Sequence, residues 1–393
     1  MKKKLLTILS MGMLLAILSG CGATDAAKVS EETQTQNTSV EVSEQQKETE
    51  EAVKEEIVKE ETSAADELEA KKEALRQEFL AEANKVEVSE DAVTFFDAVS
   101  NEVAITIPKN PQKVVNLYGS FTTLWYEAGG KVIGCIGGKS TTALYKEYIG
   151  RDITGDEGVT VVAEAASGKK WDTETIISLQ PDLIICSKAM SGYATIEAPA
   201  KAANIPVIVV NYDDFSDYLK WFKVFCNLNG QPQLWDEVAM KALDEVVAAL
   251  AECPQEGGPT VFSMFSGAES LQANTTNTVV GGMITAMNGE NIVDSWEDAT
   301  GAERLDINME TVYMANPDII LVQCHAGAEA AKEQVAEFYG EDVVWQSLKA
   351  VKEGKVFYLE KELFHNKPNS RFAEAYQKLA QILYPETEFT FKE

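Results

Sequence analysis

Apolar and polar positions divide the chain into three textures. Residues 5–18 are almost wholly apolar, residues 22–90 are dominated by Glu, Gln, Ser and Thr, and from Asp91 onward short apolar runs alternate with stretches of helical period. VTFFDAVSNEVAITI (93–107) alternates with period two and predicts a hairpin turning near Ser100-Asn101. KVVNL (113–117) has the continuous apolar character of a buried strand. A helix follows over about 121–129, closed by Gly129-Gly130, and KVIGCI (131–136) supplies a second strand. Strand, helix, strand in this order is the signature of a parallel sheet.

The strongest internal pattern is a repeat. WDTETIISLQPDLIIC (171–186) aligns without gaps on INMETVYMANPDIILV (307–322) at a constant offset of 136 residues. Each copy has a polar cap (Asp172; Asn308), a short helix, a Pro that stops it and a buried strand. Two copies so far apart predict two similar lobes, since a solenoid needs at least about three units. PTVFSMF (259–265) would open the second lobe as KVVNL opens the first, and IPVIVV (205–210) and GKVFYL (354–359) would close them. Between them, residues 215–229 and 231–252 read as two helices, the second about 33 Å long at about 1.5 Å per residue. The expected fold is therefore α/β: two parallel-sheet lobes, 91–214 and 254–393, joined by a long interlobe helix within a helical connector, 215–253. A ligand cleft lies between the lobes. A helical connector predicts modest flexing of the lobes, not large closure.

The chain's start adds a location. Three lysines at residues 2–4, the apolar run and Leu18-Ser19-Gly20-Cys21 read as a signal peptide (1–20) with its cleavage site. The spacing resembles a bacterial lipobox, which implies a lipid carried on Cys21 and a body held at the extracytoplasmic face of the membrane. Residues 5–20 fall short of the roughly 20 that a membrane-spanning helix needs. Residues 21–90 then read as lipidated cysteine and acidic tether, with 20 acidic and 8 basic residues after Cys21. Within it, residues 64–84 have helical propensity and i,i+4 pairs such as Glu67–Lys71, so a fraying surface helix is expected there. The whole chain carries 63 acidic and 34 basic residues, a formal charge of −29. That balance excludes a nucleic-acid footprint and charge-driven adhesion to anionic lipid. Cys135, Cys186, Cys226, Cys253 and Cys324 are widely spaced with no C-x-x-C, so neither a disulfide framework nor a zinc site is expected.

Two tempting motifs fail. In GCIGGKST (134–141) the position that a phosphate loop reserves for its first Gly is Ile133. Ser263 and Ser266 lack the Gly-x-Ser-x-Gly setting of a nucleophile elbow, so no catalytic residue is assigned and an enzyme is not expected. An extracellular hydrolase stays as the alternative of another class.

Taken in order, the lipid cysteine, KVVNL–helix–KVIGCI, the paired P-D strands, the long helix and FAEAYQKLAQILYPE (372–386) resemble the class III substrate-binding lipoproteins of ABC importers. That family serves iron-siderophores, haem and cobalamin, and the resemblance covers about residues 91–387. It implies an ABC permease as partner and a surface glutamate on each lobe that docks to it; by position these are Glu174 and Glu310. A carboxylate in a helix's first turn is also favoured by the helix dipole alone.

In open α/β sheets, ligands bind beyond the carboxyl ends of the strands. The loops at those ends carry Tyr118, Ser120, Lys188, Met190, Tyr193, Tyr212, Ser266, His325, Phe364, His365 and Arg371 as candidate ligand-binding residues. Both histidines of the chain lie in this set. Imidazole and thioether are haem-iron ligands, so His325 or His365 with Met190 could grip haem across the cleft, with no resident metal or cofactor otherwise implied. Scarce arginine, with only Arg371 and Arg304 well placed, argues against a highly anionic siderophore. Arg371 could instead pair with a carboxylate at a helix end. Neutral hydroxamates, haem and cobalamin remain open, as does a haem- or chelate-binding lipoprotein that works without a permease.

Overall fold

The computed structural model describes residues 65–100, 103–164 and 171–391; the signal segment and Cys21 lie outside them. Residues 65–80 form helix α1, and β1 (Glu87–Val88), β2 (Ala92–Phe95) and β3 (Ile105–Pro108) form an antiparallel sheet in which Phe95 faces Ile105. The hairpin foreseen over 93–107 is β2–β3.

The first lobe alternates β4 (Val114–Asn116), α2 (Gly119–Glu127), β5 (Gly134–Ile136), α3 (Lys139–Ile149), β6 (Thr160–Ala163), α4 (Thr173–Ser178), β7 (Leu183–Ser187), α5 (Tyr193–Ala202) and β8 (Val207–Val210). Its sheet runs β6-β5-β4-β7-β8 and is parallel throughout. Helices α6 (Phe215–Leu228) and α7 (Lys241–Glu252) follow; a π-helical stretch, Trp235–Met240, leads into α7.

The second lobe contains β9 (Thr260–Ser266), β10 (Leu271–Asn274), α8 (Val279–Ala286), β11 (Glu290–Asn291), β12 (Arg304–Asp306), α9 (Met309–Ala315) and β13 (Ile319–Cys324). After these come α10 (Ala328–Tyr339), α11 (Val343–Ser347), α12 (Lys349–Lys352), β14 (Val356–Leu359), α13 (Lys361–Phe364) and α14 (Phe372–Leu383). Its sheet order is β12-β10-β9-β13-β14, with β11 beside β9. Here the lobes differ: β9, β13 and β14 are parallel, while β10 and β12 run antiparallel as a meander that the repeat does not contain.

The repeat has a physical reason. Asp182 accepts hydrogen bonds from the backbone N–H groups of Gln112 (2.7 Å) and Lys113 (2.9 Å), pinning the start of β4. Asp318 does the same for Thr260 at the start of β9, taking its N–H (3.0 Å) and hydroxyl (2.8 Å). The residues before the two prolines, Gln180 and Asn316, both take positive φ (49° and 44°), which ends each helix before its strand. A hydrogen bond to Lys349, with those from Thr260, pulls the Asp318 carboxyl down to about 2.

The lobes share one interior. A single apolar cluster runs from Val114 and Trp125 through Tyr218, Phe222 and Val246 to Val261, Ile284 and Leu359. Helices α6, α7 and α14 form this spine, and Phe215 meets Phe372 at 5.1 Å between ring centroids. Helix α1 is part of it. Lys71 Nζ donates to the carbonyls of Ala251 (2.8 Å) and Leu250 (3.1 Å) at the end of α7 instead of serving as a surface partner for Glu67. Arg76 pairs with Asp244, and Phe79 meets Phe215 edge-on at 5.2 Å. A fraying helix is therefore not what forms: packing of the described chain starts near Lys71, not at 91. The five cysteines of the body are buried and unpaired. No described helix is long and apolar enough to cross a membrane.

Candidate ligand cleft

Where the two sheets present their carboxyl ends, a cavity of about 460 Å³ opens between the lobes. Tyr118 reaches it from the β4–α2 turn, Ser120 from the first turn of α2, and Ser140, Thr141 and Leu144 from the first turns of α3. Met190 reaches it from the turn after β7. The second lobe supplies His325 after β13, Lys361 from α13, and His365, Asn366 and Lys367 beyond it. Larger hollows of about 600, 720 and 870 Å³ lie elsewhere on the surface. They include the turns that carry Asp182 and Asp318, at the amino ends of β7 and β13, where a sheet of this kind does not bind.

The two histidines face each other, His325 Nδ1 lying 3.0 Å from His365 Nε2. His365 also stacks on Phe265, with centroids 5.5 Å apart. Burial, then the neighbouring His325 and the cations Lys361, Arg304 and Lys367, push His365 down to about 3. Partial burial and Lys361 lower His325 as well. Both rings are thus neutral near pH 7, and a neutral imidazole keeps a lone pair for a metal. His365 Nδ1 is buried with no hydrogen-bond partner among the described residues. A buried polar chain sets this loop: Arg304 Nε donates to Asn274 (3.1 Å), Asn274 to Gln323 (3.2 Å), and Gln323 to the Phe364 carbonyl (2.6 Å).

Five expected residues therefore share the cavity: Tyr118, Ser120, Met190, His325 and His365. The other six do not line it. Tyr212 is buried and bonds Asn369 (3.3 Å), and Phe364 is buried in the spine cluster. Ser266 donates to Gln334 (2.6 Å). Tyr193 packs on the core of the first lobe, and Lys188 points to solvent. Arg371 pairs with Glu374 (2.8 Å) and with Glu147 (2.8 Å) across the lobes, the helix-end pairing that its position allowed. Sequence reasoning missed Lys361, Asn366, Lys367 and the α3 face; their position in the loop after β14 and the turn after β5 was the available signal.

Around the cleft's hinge side the lobes are latched. Glu127 of α2 accepts from the hydroxyl and the N–H of Ser370, and Tyr148 donates to the Glu362 carbonyl (2.8 Å). Burial raises the Glu127 carboxyl to about 7 despite the Ser370 contacts. Glu174 and Glu310 stand exposed in the first turns of α4 and α9, beside the caps Asp172 and Asn308.

Two lobes, a shared helical spine and a cleft at the strand ends define a substrate-binding protein. Residues 114–363 match the family model described as periplasmic binding protein, and the chain belongs to that family. It is an ABC-transporter substrate-binding protein, a class that works outside the cytoplasm with a permease partner. A similar chain is the uncharacterized ABC transporter substrate-binding lipoprotein YvrC of Bacillus subtilis. It is 26% identical over 309 residues, which cover 77% of this chain and 87% of that protein. The fold is that of the periplasmic haem-binding protein RhuT from Roseiflexus (TM-score 0.55, 21% identity, 71% of this chain and 100% of that one). It is also that of the vitamin B12-binding protein BtuF of Vibrio cholerae (TM-score 0.54, 16% identity, 71% and 98%).

Proposed function

We propose that this chain captures an iron chelate, haem foremost, in the cleft and delivers it to an ABC import permease. One observation carries the reading: the paired neutral imidazoles of His325 and His365 share a cavity with Met190 and Tyr118 of the other lobe. Imidazole, thioether and phenolate are the side chains that ligate haem iron, and here they stand on facing walls. Two of the structural relatives bind a tetrapyrrole-type ligand by name, haem for RhuT and vitamin B12 for BtuF. Cys21 would carry the lipid that holds the body at the membrane, and Glu174 and Glu310 would contact the permease.

The test is colour. The full chain, purified from iron-rich cells, is expected to show a Soret band. A broad charge-transfer band would replace haem with a ferric siderophore, and corrin bands with cobalamin; a colourless protein that binds none of the three ends the proposal. Reversing the charge at Glu174 and Glu310 together is expected to abolish uptake with ligand affinity unchanged. Undiminished uptake would favour a chelate-binding lipoprotein that needs no permease.

A further inference from the structure

The charge of the cleft runs against the charge of the chain. Acidic residues outnumber basic ones, 63 to 34, yet among the described residues the cavity is lined by Lys361 and Lys367 and by no carboxylate. Every other hollow described above has acid in its wall: Asp182 in one, Asp318 and Glu360 in the second, Glu297, Asp298 and Asp306 in the third. Lys367 keeps only 17% of its side chain exposed, lies over the Tyr212 ring and forms an ion pair with Asp213 at 3.6 Å. Lys361 pairs with no carboxylate among the described residues. A third cation, Arg304, lies 4.3 Å from the centroid of Phe265, the ring on which His365 stacks, and pairs with Glu303 at 3.6 Å.

The facing wall has the same sign. Helices α2 and α3 both begin at the cavity, with no side-chain cap and no acidic residue in the first turn. Their first N–H groups and the hydroxyls of Ser140 and Thr141 are donors. Lys361, half-buried at the cavity wall, would gain a partner from an anionic guest.

Resting on the capture reading above, we infer that this cleft selects a chelate bearing carboxylate or other anionic groups, with Lys361 and Lys367 as their partners. Arg304 stands behind Phe265 with its charge shared by Glu303. The preference sets neutral hydroxamates aside as the main cargo and departs from the expectation drawn from scarce arginine, because lysines supply the charge.

The test compares haemin with its dimethyl ester, which lacks the two carboxylates, by tryptophan quenching on the full chain. Haemin is expected to bind at least about ten-fold more tightly than the ester. Lys361→Gln and Lys367→Gln should each weaken haemin by about ten-fold and leave the ester unchanged, while Lys361→Arg keeps the preference. Equal affinity for haemin and ester, in a chain that binds both, overturns the inference and leaves the haem reading intact. If neither binds, the haem reading fails and the same variants are titrated with ferric citrate and a neutral ferric trihydroxamate. Binding of citrate that Lys361→Gln weakens then upholds the inference. Preference for the trihydroxamate, or no binding of citrate, overturns it.

Discussion

The lobes meet along the spine and across the cleft, and the two meetings are built from different chemistry. On the spine, aromatic and aliphatic side chains interdigitate, and even Lys71 of α1 finds two carbonyls. Across the cleft, helix starts are uncapped, a histidine nitrogen is orphaned and Lys361 stands in the wall without a carboxylate partner among the described residues. The spine is held by apolar packing, with the Tyr218 hydroxyl its one unpaired buried polar atom among the described residues, whereas the cleft presents polar groups that a guest can pair. Stability and binding should therefore separate under mutation.

The largest effect belongs to the spine. Starting the chain at residue 91 removes the packed Leu75, Phe79 and Leu80 and should cost about 4 kcal/mol of stability, read from denaturant midpoints. Haemin affinity should stay within about two-fold, because nothing in that segment lines the cavity. Parallel losses of stability and affinity would erase the distinction between the two regions.

Next comes the reverse case. His365→Ala should lower haemin affinity by about 100-fold, on the order of 2.7 kcal/mol, while stability at pH 7 stays within about 1 kcal/mol. Folded His365 resists protonation down to about 3 instead of its ordinary 6.5, so the wild type loses stability as pH falls below 6.5. The variant should lack that acid slope in urea titrations run from pH 7 to 4.

The smallest effect sits at the latch between the regions. Glu127 titrates near 7 when folded against 4.5 for an ordinary glutamate, so the folded state favours its protonated form. Its contribution is complete below pH 4.5 and is lost as pH rises to about 7. Glu127→Gln should remove this dependence and be the more stable protein at pH 8 by about 1 to 2 kcal/mol. An unchanged profile would show that Glu127 is solvated.

The framework was legible because apolar runs such as KVVNL and IPVIVV are too short and too continuous for anything but buried strands. The cleft was legible by side, not by direction. Being in a loop after a strand placed Tyr118, Met190 and both histidines at the right end of the sheet. The same rule enrolled Tyr212 and Phe364, whose apolar bulk turns them inward, and Ser266, which Gln334 claims. The lysines were overlooked because a lysine near a loop ordinarily reaches solvent. Helix α1 was misjudged from its charge: Glu and Lys dominate its count, but Leu75, Phe79 and Leu80 suffice to dock it.

The apolar interior from Val114 to Leu359 runs through both halves, although each half also keeps a smaller cluster of its own on the other face of its sheet. Heating should therefore melt both together in one calorimetric peak. A guest held in the gap would raise that single melting temperature for the entire molecule, so thermal shift can screen a panel of chelates without a label on any of them.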